Sequence, residues 1–68
     1  MPLVEVTLSA GREPAAIRAL IHELHAAVER SIGSPAQSIR VIVREVPRTH
    51  WAAGDRTLAE RDAIGEGG

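Results

Sequence analysis

Sixty-eight residues with a formal net charge of −1 make one small domain, and no basic excess draws it to nucleic acid or to an anionic membrane surface. The chain has no cysteine, which excludes disulfides and thiolate metal ligands, and its eight basic residues are all arginine, which excludes a lysine Schiff base. Apolar residues make up 44% but Trp51 is the only aromatic, so the core must be thin and aliphatic, and the chain is expected to complete it against further copies of itself.

The first element is a strand. Leu3 to Leu8 alternate, with Val4, Val6 and Leu8 on one face and Leu3, Glu5 and Thr7 on the other. Pro2 stands just before it, and two readings of Pro2 are open. Proline is tolerated at the start of a strand. A proline directly after the initiator methionine also marks Met1 for removal, which would leave a secondary amine on a rigid ring as the first group of the chain. An ordinary α-amino group titrates at about 7.7 to 8.0. Burial and neighbouring cations lower that value, and a general base works best with a pKa near the working pH.

Ser9 to Arg12 end the strand, with Gly11 expected in a conformation other residues resist. Glu13-Pro14 then opens a helix, proline being suited to the first helical position. Ile17, Leu20, Ile21, Leu24, Val28 and Ile32 recur at helical spacing and predict an amphipathic helix of about five turns, closed by Gly33. His22 and His25 fall on its outer face. They share a spacing of three but have no evident third ligand, so no metal site is expected.

Ser34-Pro35 suggests a capped short helical turn over 35 to 37. Ser38 to Val46 is the strongest strand signal, with Ile39, Val41 and Val43 on one face and Arg40, Ile42 and Arg44 on the other. Strand, helix, strand is a βαβ unit of the α/β (α+β) class, with parallel strands and a right-handed crossover. One helix covers one face of such a sheet, and a second subunit is the simplest cover for the other. Pro47 ends the strand. Residues 48 to 56 read as a loop or short hairpin, and Thr57 to Arg61 as a helical turn or a short strand. Trp51 lies in this region without a local core, a placement that suits a pocket wall or an interface. Residues 1–62 form the expected domain and 63–68 a flexible tail. No 18-residue apolar run and no basic stretch leading into an apolar one is present, so the cytoplasm is the expected compartment.

The order of these parts resembles the 4-oxalocrotonate tautomerase family. The resemblance rests on Met1-Pro2 opening an alternating strand, Gly11-Arg12 at its end, the amphipathic helix, Ser38-Ile39-Arg40-Val41-Ile42-Val43 with Glu45, and His50-Trp51 followed by a glycine. It covers residues 2 to about 58. It implies a βαβ unit with a C-terminal hairpin, paired into dimers and assembled as a homo-oligomer, usually a hexamer. It implies a cofactor-independent tautomerase acting on a 2-hydroxydienoate, with Pro2 as the base after loss of Met1. Arg12 would bind one substrate carboxylate. Arg40 would bind the other and the developing enolate oxygen, and Trp51 would wall the site, with residues drawn from more than one subunit.

Each arginine also has a plainer reading. Arg12 could be a solvated loop residue and Arg40 could pair with Glu5 or Glu45. Arg44, on the face of Arg40, is a reserve candidate for binding an anion. Two other functions stay open. Relatives acting on 3-haloacrylates carry an acidic residue two positions after the loop aromatic; that position is Ala53 here, with Asp55 two further on. An oligomeric binding module without catalysis is the third reading.

Overall fold

The computed structural model describes residues 1–65. Leu3–Ser9 forms strand β1, Pro14–Ile32 helix α1 and Arg40–Val46 strand β2. The two strands pair in parallel with no slip, from Leu3 opposite Arg40 to Ser9 opposite Val46. The expected βαβ unit is therefore present. A short hairpin follows, β3 (Ala52–Ala53) antiparallel to β4 (Arg56–Thr57), and then helix α2 (Leu58–Ala63).

Local chemistry explains most of the boundaries. Gly11 adopts φ +130°, where a side chain would be strained. Pro14 sits in the first turn of α1, where its missing N–H costs nothing. At the far end Gly33 takes the left-handed conformation and its N–H closes onto Glu29 O at 3.1 Å. Thr57 caps α2 through a reciprocal box: its hydroxyl accepts from the Glu60 N–H at 3.1 Å, and the Glu60 carboxylate accepts from the Thr57 N–H at 3.3 Å.

The structure refines several expectations. The short turn before β2 is a 3-10 turn at Ala36–Ser38, without a side-chain cap from Ser34; Ser38 Oγ instead donates to Pro35 O at 2.9 Å. Ile32 extends the apolar stripe of α1 in sequence but, as the last residue of the helix, is 66% exposed. His25 is half-buried rather than fully outward, with Nε2 3.0 Å from Ala36 O. Residues 58 to 63 make a full capped helix, so helix runs one residue past the expected domain limit, and Ile64–Gly65 turn after it. The remainder of the expected tail, 66–68, lies outside the described residues.

One chain buries little. Val4, Val6 and Leu8 of β1 and Val41 and Val43 of β2 are half-buried on the covered face, and only Ile39 and Leu58 among the described apolar residues are buried, each still 7% exposed. The opposite face of the sheet carries Leu3, Glu5, Thr7, Arg40, Ile42 and Arg44, all exposed. The radius of gyration, 15.4 Å, exceeds the roughly 11 Å of a compact domain of this length. Among the described residues no helix is long and apolar enough to cross a membrane.

Candidate active site

The parallel register sorts the candidate residues to two ends of the sheet. Pro2 precedes β1 and Arg40 begins β2, and the Arg40 N–H donates to Pro2 O at 3.0 Å. Pro2 is half-buried, whereas Met1 is 86% exposed and makes the Pro2 nitrogen a tertiary amide, which has no basicity. The Arg40 guanidinium is held at this end by its own segment. Nη1 donates to Gln37 O at 2.7 Å and grazes Ile39 O at 3.5 Å. Arg40 pairs with neither Glu5 nor Glu45; the partner of Glu5 is Arg44, at 3.1 Å across the open face. That ion pair also occupies Arg44, the reserve anion binder.

Arg12 and Trp51 lie at the other end. At about 3.3 Å per residue, β1 separates Ser9 from Pro2 by roughly 23 Å, and Arg12 lies beyond it. Arg12 is exposed, and its Nη1 donates to Ser9 O at 2.9 Å. β2 reaches the same end at Val46, whose carbonyl accepts from the Ala10 N–H at 2.8 Å. Pro47 then leads into a 3-10 turn, Arg48–His50, which delivers Trp51. Trp51 is half-buried, and its carbonyl accepts from the Leu58 N–H at 2.8 Å. Within one chain, then, Pro2 and Arg40 are joined through the backbone at one end, and Arg12 and the segment that carries Trp51 start from the other.

A feature absent from the sequence reading ties the second end together. Arg48 forms a two-pronged bond to Asp62, Nε to Oδ2 at 2.5 Å and Nη2 to Oδ1 at 2.8 Å, and its Nη1 donates to Ser9 Oγ at 3.3 Å. The Arg48 hydrogen bonds hold the Asp62 carboxyl below the ordinary carboxylate range, against a smaller opposing effect of desolvation and with help from the charges of Arg48 and Arg61. The helix-cap half of this arrangement was readable: Thr57-Leu58-Ala59-Glu60 fits the capping-box pattern. The Arg48–Asp62 pair was not, since nothing in local spacing links residues 14 apart.

A shallow groove runs along α1, lined by Arg18, Ile21, His22, His25, Ala26 and Glu29, and contains none of the four candidate residues. Among the described residues no group of three or more His, Cys, Asp or Glu side chains is placed to hold a metal ion. The candidate residues bring guanidinium groups, one indole and, once Met1 is removed, the amine of Pro2.

Comparison with known proteins points the same way. The family described as "Tautomerase enzyme" matches residues 2–61. The chain is 35% identical over 54 residues to a 2-hydroxymuconate tautomerase of Stutzerimonas stutzeri, covering 79% of this chain and 86% of that one. Its fold matches the crystal structure of TomN, a 4-oxalocrotonate tautomerase homologue of the tomaymycin biosynthetic pathway, with a TM-score of 0.85 and 45% identity over 91% of this chain and 95% of that one. It also matches a heterohexameric 4-oxalocrotonate tautomerase of Chloroflexus aurantiacus J-10-fl, with a TM-score of 0.81 and 35% identity over 88% of this chain and 97% of that one.

Proposed function

The chain belongs to the tautomerase family, among the homologues of 4-oxalocrotonate tautomerase, and is an isomerase; from that premise we propose that it converts 2-hydroxydienoates such as 2-hydroxymuconate to conjugated 2-oxo-enoates, with Pro2 as the base once Met1 is removed. The Pro2 nitrogen takes the proton of the 2-hydroxyl group. The resulting ammonium returns a proton to the far carbon of the diene, so that an O–H is exchanged for a C–H and the 2-oxo group forms. No oxidant, metal or cofactor enters the balance.

The observation that carries this reading is the pairing of Pro2 with Arg40 at one end of the sheet. Both intrachain side-chain bonds of Arg40 use Nη1, so Nε and Nη2 remain for a ligand. A fixed cation at the developing enolate oxygen stabilises the charge that appears in the transition state. Arg12 and Trp51 are the residues proposed to complete the site, Arg12 by binding the distal carboxylate and Trp51 by excluding water. Because they lie roughly 23 Å or more away along β1, they must come from other copies. We therefore take the working enzyme to be a homo-oligomer, dimer-based and hexameric, with the open face of Leu3 and Ile42 inside it. Exclusion of water would also lower the pKa of the Pro2 amine toward neutrality.

A dehalogenase or hydratase reading has less support: Ala53 occupies the position of the extra acid, and Asp55 lies exposed in the turn between β3 and β4. Turnover of 2-hydroxymuconate would fit a cytoplasmic role in breaking down aromatic rings, and TomN shows that a similar chain also serves a biosynthetic pathway. The test is the ultraviolet assay of 2-hydroxymuconate ketonisation, with intact mass taken on the same sample. Activity in the Met1-free chain that Pro2→Ala abolishes supports the proposal. Full activity in Pro2→Ala overturns it, and an inert Met1-free chain points to another substrate or to the binding-module reading.

A further inference from the structure

The segment that delivers Trp51 has little holding it in place by itself. Its hairpin has two residues in each strand, and α2 has six. A two-stranded hairpin is marginal alone, and so is a helix of that length. What fixes them is tertiary: the burial of Leu58, the bond from its N–H to Trp51 O, and the Arg48–Asp62 fork. The fork uses two parallel N–H···O bonds, which set orientation as well as distance.

Arg48 reaches one step further. It donates from Nη1 to Ser9 Oγ, while the carbonyl of the same Ser9 accepts from Arg12 Nη1. Ser9 is thus the common anchor of Arg12 and of the Trp51 segment. Arg12 needs such an anchor, because it follows Gly11, whose backbone leaves the direction of the chain unrestrained. The pair is also exposed enough, 30% for the Arg48 side chain and 42% for Asp62, that its effect on global stability should be small. Its geometry suits orientation better than stabilisation.

We propose that Arg48 and Asp62 are positioning residues: through Ser9 they hold Arg12 and Trp51 in a fixed relative placement, and so set the preference of the enzyme for substrates that carry a second, distal carboxylate. This rests on the function proposed above, in which Arg12 receives that carboxylate. The clamp closes only when α2 is folded, so substrate preference depends on a helix that touches no substrate.

The experiment compares Arg48→Ala, Asp62→Asn and the double variant on two probes, the dicarboxylate 2-hydroxymuconate and the monocarboxylate 2-hydroxy-2,4-pentadienoate. Each single variant should raise KM for the dicarboxylate roughly tenfold, within the range known for small misplacements of a binding group, and leave KM for the monocarboxylate unchanged. The double variant should be no worse than either single one, since both remove the same clamp. Trp51 is the only aromatic residue, so acrylamide quenching of its fluorescence reads the segment directly and should rise in all three. Asp62→Asn is the milder change and decides the matter if Arg48→Ala does not fold. Equal losses on both probes, or wild-type KM values with wild-type quenching, overturn the proposal. Pro2→Ala separates the two claims: undiminished turnover in that variant defeats the assigned base, while the quenching result still judges the clamp.

Discussion

The two ends of the β1–β2 sheet are built differently. At the Pro2 end, the strand pair opens with the backbone bond from Arg40 N–H to Pro2 O, and the Arg40 side chain is steadied by carbonyls one and three residues before it. At the Arg12 end, contacts come from three parts of the chain: Ser9 meets Arg48 at a separation of 39 residues, and Arg48 meets Asp62 at 14. On the proposed function, the reacting end is the one assembled from strand starts, which needs little beyond the correct register. The recognition end, on the same proposal, is the one assembled from long-range contacts, which can change without altering the Pro2 end.

The comparison is sharpest where an end is removed outright. Pro2→Ala should lower kcat by about 100- to 10,000-fold, the usual range for loss of a general base, with the oligomer intact by size-exclusion chromatography. Arg40→Ala should cost about 100- to 1000-fold, mostly in kcat, because its charge acts on the developing enolate. Steady-state kinetics of both on 2-hydroxymuconate check this, and an effect of Arg40→Ala confined to KM would break the assignment of enolate stabilisation to the Pro2 end. Arg12→Ala should show the opposite signature. Its loss of a charge-assisted hydrogen bond, about 1.5 to 3 kcal/mol, predicts a rise in KM of roughly 10- to 100-fold with a smaller change in kcat. A fall in kcat as large as that of Arg40→Ala would mean that the two ends do not divide labour.

Two smaller effects probe the recognition end alone. Thr57→Ala removes the hydroxyl that accepts from the Glu60 N–H, leaving only the backbone half of the cap on α2, and should cost about 1 kcal/mol in urea unfolding, with an increase in Trp51 quenching before the global transition. Acid should open the clamp last. The Asp62 carboxyl is held below its ordinary value by Arg48, so its contribution is fully present above the unfolded pKa of about 3.9 and is lost as pH falls through the lower, folded value. Trp51 fluorescence should therefore be level from pH 8 to about 5 and change only below about 4, and Asp62→Asn should abolish that low-pH change. A transition near pH 6 would implicate a histidine instead.

Much of the molecule was determined by the sequence itself. Period-two alternation in residues 3 to 8 and 39 to 43 defined the strands and their covered faces. Apolar spacing from Ile17 to Val28, bounded by Pro14 and Gly33, defined α1, because side-chain direction and backbone preference are local properties. Pro2 and Trp51 could be singled out from their own chemistry and setting, and Arg12 and Arg40 from the family resemblance. The tertiary structure decided which of them meet. Alternation fixes a face but not a position along it, and it was the register of Leu3 on Arg40 and Ser9 on Val46 that set Pro2 beside Arg40 and carried Arg12 and Trp51 to the opposite end. The choice of Arg44 rather than Arg40 as the partner of Glu5, and of Asp62 as the partner of Arg48, follows from that three-dimensional placement. Such pairings join residues far apart in the chain, and no periodicity encodes them.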